Sequence, residues 1–137
     1  MSKYTTSTTN FKDKECLLAS LKEAGYTAVQ VHDTAKHLTG YRGDTRPETA
    51  EIILPRKTKG GMEAYSNDVG FKLNAVTGCY EAIISEYDSG IFTDKVMSQV
   101  KQGYTEGVTK QTMAKRGLRW IGTTVVNGNR NLEFAVI

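Results

Sequence analysis

Apolar positions fall into short periodic groups separated by polar, glycine-containing stretches. Leu17, Leu18, Leu21 and Ala24 recur at helical spacing and predict a short amphipathic helix packed on a sheet. Asp13 is placed to cap its first turn, Glu15 suits the positive end of the helix dipole, and Gly25 supplies a left-handed stop. Before it, residues 3–11 are rich in Thr and Ser, which fits an edge strand or an extended lead-in. After it, residues 26–31 alternate enough to read as the next strand. From His32 to Glu51 the periodicity breaks down, and Gly40, Gly43 and Pro47 punctuate a segment expected to be irregular. Ile52, Ile53 and Leu54 read as a brief buried strand ended by Pro55. The Lys- and Gly-containing loop at 56–67 is expected to be the least ordered part. Residues 69–73 and 80–87 follow as two strands of a meander, antiparallel because their connection is too short for a crossover.

Local signals are clearest in the last third. Thr93 caps a long helix, Asp94 lies in its first turn, and Met97, Val100, Tyr104, Val108 and Gln111 form one stripe. Gly103 and Gly107 lie one turn apart, each costing ~1 kcal/mol relative to Ala, which points to close backbone packing or a bend. Lys115, Arg116 and Gly117 end the helix. Two strand-like runs then flank Asn127-Gly128, a type I′ turn signal. A two-residue turn sets Ile121 against Phe134, Thr123 against Leu132 and Arg119 against Val136, with Trp120 on the face opposite Ile121. With Ile137 as its last residue, the final strand is expected inside the sheet. The whole reads as one α+β domain over 1–137. Its architecture is a mainly antiparallel sheet with two helices on one face, one short and N-terminal, one long and C-terminal, and a closing hairpin.

Composition removes several function classes. A chain of 137 residues buries about two-thirds of its unfolded surface, so neither metal nor disulfide is required to hold a core. The two cysteines, Cys16 and Cys79, read as small buried thiols of a reducing compartment, and with His32 and His37 they show no zinc-site spacing. Metal and cofactor are therefore expected to be absent. No apolar run is long enough to span a bilayer and the first residues lack a signal-peptide apolar region, so a cytoplasmic protein is expected. The formal charge of +3 is well short of the dense basic stripe of a dedicated nucleic-acid binder.

The most function-like segment is 39–46. Tyr41, Arg42, Gly43 and Arg46 combine a stacking face, two fork-shaped donors and a freed backbone, which suits a phosphate or a nucleotide. The competing structural reading has Gly40 and Gly43 shaping a turn while Arg42 and Arg46 pair with Asp44 and Glu48. His32 and His37 read as solvated rather than as general bases, and Glu81, Glu86 and Asp88 as the solvent face of a strand rather than paired catalytic carboxylates. No nucleophile elbow or phosphate-loop fingerprint occurs. The basic residues between Lys101 and Arg119 read as a solvated helix face, which makes nucleic acid the weakest of the binding readings. Trp120 is a candidate partner contact.

The succession Gly40-Tyr41-Arg42-Gly43, Ile52-Ile53-Leu54, Asp68-Val69-Gly70-Phe71, Tyr80-Glu81-Ala82-Ile83, the stretch from Val100 to Tyr104, and a hairpin after Gly117-Leu118 resembles the chloroplast open-reading-frame 35 family, also known as domain of unknown function 1257, in its bacterial or phage branch. The resemblance implies a small cytoplasmic protein with an AAA-type ATPase as a possible partner, and it carries no catalytic residues to transfer. The polar loop at 56–67 departs from the plastid pattern. On the residues and the resemblance together, the leading expectation is a non-enzymatic binding or adaptor domain acting on a protein partner. Nucleotide recognition at Tyr41, Arg42, Gly43 and Arg46 is the alternative.

Overall fold

A computed structural model describes residues 3–63 and 66–136. Five strands form an antiparallel sheet in the order β1-β5-β4-β3-β2: β1 (Tyr4–Ser7), β2 (Gln30–Thr39), β3 (Thr45–Leu54), β4 (Val69–Leu73) and β5 (Tyr80–Ser85). The helices are α1 (Lys14–Glu23) and α2 (Asp94–Lys115), and β6 (Leu118–Val126) with β7 (Asn129–Val136) makes a separate two-stranded ribbon. The α+β architecture read from the sequence is the one observed.

Capping chemistry fixes both helix starts. The Asp13 carboxylate accepts from the Cys16 N–H at 2.9 Å, and the Thr93 hydroxyl accepts from the Val96 N–H at 3.2 Å. Each satisfies one of the donors a first turn leaves open. Gly25 at φ 103° and Gly117 at φ 80° take the left-handed backbone that follows the two C-termini. Where the helices cross, a side chain on Gly103 would start 3.1 Å from the Ser20 Cβ, and one on Gly107 would start 3.4 Å from the Cys16 sulfur. The glycine pair therefore lets two backbones approach, as its spacing suggested. The Tyr104 hydroxyl completes the contact by accepting from the Lys12 and Asp13 N–H groups at 2.7 and 2.9 Å.

Ile52 and Ile53, like Ala82 and Ile83, are successive strand residues and so point to opposite faces. One face packs on the helices, with Phe71 between Phe11 and Phe92 at ring-centroid distances of 6.3 and 6.4 Å. The other carries a smaller apolar cluster of Tyr4, Leu38, Ala50, Ile53 and Ile83. Gly70 is the floor of that second cluster. A Cβ there would stand 2.8 Å from the Ala50 Cβ and 3.0 Å from Leu38 Cδ2. Gly70→Ala is accordingly expected to cost about 1–3 kcal/mol through overpacking, read as a lower denaturant midpoint at unchanged m. An unchanged midpoint would show that the Leu38 side chain yields without strain.

Several expectations need correction. The strand placed at 26–31 starts later, at Gln30; Tyr26 instead lies in a loop with its ring 5.6 Å from Phe92. The stretch from His32 to Glu51 is not irregular but a ten-residue edge strand, a tight turn and most of a second ten-residue strand. Edge exposure leaves Leu38 as the buried residue of β2, and register breaks between Val31 and Lys36 and between His37 and Thr39 erase the period-two pattern. Pro47 is opposite the second break, where a missing N–H costs no ladder bond. Finally, β7 pairs with β6 and not with the large sheet, so the last strand is not internal to it; Ile137 itself lies outside the described residues.

The ribbon turn is as expected, with Asn127 at φ 51° and Gly128 at φ 79°, and Thr123 does face Leu132. Beyond Gly122 the register slips. Ile121 is passed over, so Trp120 rather than Ile121 faces Phe134, and Arg119 faces Ala135 rather than Val136. This bulge brings Trp120 onto the ribbon face that looks toward α2.

Candidate functional site

The chemistry of the chain concentrates on the sheet face away from the helices, around the β2–β3 turn. Gly40 N–H donates to the Asp44 carbonyl and Gly43 N–H to the Gly40 carbonyl, both at 2.8 Å, and Gly43 sits at φ 80°. A side chain at Gly40 would collide with the Asp44 carboxylate at 2.5 Å. The two glycines are thus spent on a tight turn, which is the structural reading the sequence allowed.

The turn is clamped from below by a segment that no periodicity marked. Asn67 Oδ1 accepts from the Tyr41 N–H at 2.8 Å. Asp68 accepts from the Thr39 N–H with Oδ2 and from the Arg56 N–H with Oδ1, each at 2.8 Å. The Arg56 guanidinium donates to the Ser66 carbonyl at 2.9 Å and to the Tyr41 carbonyl. The Tyr4 hydroxyl donates to the Asp68 carbonyl at 2.8 Å. Asn67 is held in turn by Asp88, whose Oδ2 accepts from its N–H at 3.1 Å and its amide at 3.3 Å.

Asp88 is the most unusual of these groups. It lies in a 3₁₀ turn (Glu86–Gly90), is 1% exposed, and its Oδ1 has no hydrogen-bond partner among the described residues. Burial pushes its carboxyl above the ordinary carboxylate range; the Asn67 hydrogen bonds pull it back and Asp68 pushes it further up. The same surroundings raise the Tyr4 phenol, through burial first and the two aspartates next. Reading Asp88 as a solvent-facing strand residue was wrong because the strand stops at Ser85 and the chain turns inward.

The candidate residues divide around this clamp. Arg46 extends over the Tyr4 ring at 5.6 Å and toward Asp44 and Glu48 at 3.6 and 3.9 Å. Arg42 instead lies over its neighbour Tyr41, 5.4 Å from the ring centroid, with Nε donating to the Tyr41 hydroxyl at 3.0 Å. The two arginines therefore engage different groups rather than one shared space. Tyr41 meets a residue the sequence reading passed over, Tyr87, at 6.2 Å between ring centroids, and Tyr87 is 70% exposed. Together Tyr41, Arg42 and Tyr87 form an exposed aromatic and guanidinium patch on a rigid base.

A model of the family described as "Protein of unknown function (DUF1257)" matches residues 18–130. The chain belongs to that family. No curated protein and no solved structure matches it. The matched span takes in the turn, the Asn67–Asp68 segment, Asp88, α2 and the ribbon up to Arg130.

Trp120, the remaining candidate, lies in the ribbon against α2, and among the described residues it makes no contact with the Tyr41–Tyr87 patch. The Lys110 ammonium stands 3.8 Å from its ring centroid, and its indole N–H donates to the Thr123 hydroxyl at 3.0 Å. One ring face is thereby covered by α2. Next to it, Arg130 reaches Glu106 with Nε at 2.6 Å and Nη2 at 3.0 Å, fastening the ribbon to the helix. That pairing holds the Glu106 carboxyl below its ordinary range. Two of the helix's charged side chains, Lys110 and Glu106, are thus engaged with the ribbon. Both cysteines are free and buried, and burial, with Asp13 second, pushes the Cys16 thiol up, away from a reactive thiolate. Among the described residues no cluster of His, Cys, Asp and Glu could hold a metal ion, and no helix is long and apolar enough to cross a membrane.

Proposed function

We propose that this chain is a cytoplasmic, non-enzymatic adaptor that binds a protein partner through Tyr41, Arg42 and Tyr87. The observation that carries the reading is the exposed tyrosine pair with a guanidinium stacked on it, held from beneath by Asn67 and Arg56. Tyrosine and arginine on a preorganised base are what interface hot spots are made of, because they supply large contact area at little ordering cost. Free buried thiols fit a reducing compartment.

The nucleotide alternative draws less support from the geometry. A phosphate site needs convergent donors, whereas Arg46 is directed at two carboxylates and the Gly40, Tyr41 and Gly43 N–H groups are already bonded within the clamp. A thermal-shift screen with ATP, GTP and cyclic nucleotides separates the two readings, since only the alternative expects stabilisation.

Affinity capture from the native host, comparing wild type with Tyr41→Ala/Tyr87→Ala, tests the proposal. An AAA-type ATPase, the partner class implied by the family resemblance, is the first purified bait. A partner retained by wild type is expected to be depleted on the variant, with each truncation weakening the complex about tenfold or more in direct titration. Equal recovery on both, with both folded, would remove the patch from the interface.

A further inference from the structure

The ribbon of β6 and β7 has no third strand. Two strands alone are marginal in water; packing on a helix steadies them, as α2 does here on one face. Both outer edges are without a strand partner among the described residues. Among the described residues no backbone hydrogen bond joins the ribbon to the large sheet. Its two outer edges differ in character. β7 carries Arg130, between Asn129 and Asn131, and Glu133, whereas residues 122–126 of β6 (Gly-Thr-Thr-Val-Val) contain no charge and no proline.

That bare stretch contrasts with the edges of the large sheet. There β1 is four residues long, and β2 is broken by two register shifts and carries Asp33 and Lys36. Short, bulged and charged edges are how proteins prevent strand addition. The β6 edge has its bulge at Ile121 and then runs uninterrupted to the turn.

Alternation along β6 shows what can lie against it. Val126 and Asn129 close the two-residue turn, so the ladder directs the backbone polar groups of Thr123 and Val125 to the outer edge. An antiparallel copy of the same edge, centred on Thr124, sets Val125 opposite Thr123, Thr124 opposite Thr124, and Val126 opposite Gly122. Every pair lies on one face, and no like charges meet. Val126 is 54% exposed, and the space a side chain would fill at Gly122 is open, so the valine of one copy covers the glycine of the other. The edge is therefore complementary to itself.

We infer that β6 is a self-association edge: two copies of this chain pair their 122–126 segments antiparallel across a two-fold axis at Thr124. The product is a four-stranded sheet with both copies of α2 on one face. This surface is separate from the Tyr41–Tyr87 patch and leaves it open on each subunit.

Sedimentation equilibrium combined with charge exchange at Thr124 tests the assignment. Wild type is expected to reach dimer mass with rising concentration. Thr124→Lys and Thr124→Glu each place like charges on the axis and should be monomeric at the same concentrations, while their mixture should recover dimer. Single Thr124→Cys gives a second readout, because a central non-hydrogen-bonded pair places the two thiols for a disulfide-linked dimer under mild oxidation while Cys16 and Cys79 stay buried. Wild type that remains monomeric at millimolar concentration would overturn the inference. So would a wild-type dimer unaffected by Thr124→Lys, which would place the contact elsewhere.

Discussion

Phe71→Ala should lower the unfolding free energy by about 3–5 kcal/mol, a large part of the total for a domain of this size. The ring is fully buried on the middle strand of the sheet, between Phe11 and Phe92. Those rings belong to the segment leading into α1 and the segment leading into α2. Removing the Phe71 ring therefore opens a cavity that the strand cannot close, because β4 is hydrogen-bonded to β3 on one side and to β5 on the other. Urea unfolding followed by circular dichroism measures the loss directly. A loss below about 1 kcal/mol would mean that Phe11 and Phe92 collapse into the space.

Asp88→Ala is expected to have the next largest effect. It removes the carboxylate oxygen that accepts from the Asn67 N–H and amide, at about 1–3 kcal/mol for a lost buried hydrogen bond to a charged group, and loosens the residue that holds the Tyr41 N–H. Asp88→Asn should behave differently. Its amide oxygen can take over both Asn67 bonds, and its NH₂ replaces the oxygen that has no partner. The pH dependence distinguishes the charge from the hydrogen bonds. Because burial raises the folded-state carboxyl above its unfolded value, at pH between the two the native state holds a proton that the unfolded state has released. Stability contributed by this group thus falls as pH rises from the unfolded carboxylate range through the folded one, and the loss is complete above it. Asp88→Asn should abolish that slope while retaining most of the stability. A slope equal to wild type would assign the titration to another group.

Why these residues escaped a reading of the sequence is a matter of what local signals encode. Caps, glycine stops and the Asn127-Gly128 turn act within a few residues, so both helices and the ribbon turn were legible. Most of β2 and the first part of β3 were not, since exposure and register breaks remove the alternation that announces a strand, whereas the buried end of β3 at Ile52, Ile53 and Leu54 was. Polar residues mislead for a related reason. Asp88, Asn67 and Asp68 look like loop surface, yet their partners lie 21, 26 and 29 positions away and draw them inside. For the site, Tyr41 and Arg42 were visible as chemistry, and the Arg46 pairing with Asp44 and Glu48 was one of the two readings weighed. Tyr87 falls within the strand expected at 80–87 and carries no signal of its own; its place in the patch comes from proximity to Tyr41.

The Tyr104 hydroxyl that receives the Lys12 and Asp13 N–H groups spans 92 and 91 positions of chain. During synthesis the first helix accordingly emerges long before the residue that finishes its docking. The same delay applies to β1, whose partner β5 ends at Ser85. Until β5 leaves the ribosome the N-terminal strand has no ladder to join, and until α2 follows, the cluster around Leu17 and Leu21 lacks Val100 and Tyr104. Contacts of such long sequence separation are slow to form and leave apolar surface open meanwhile. The fold is closed from its C-terminal half backward.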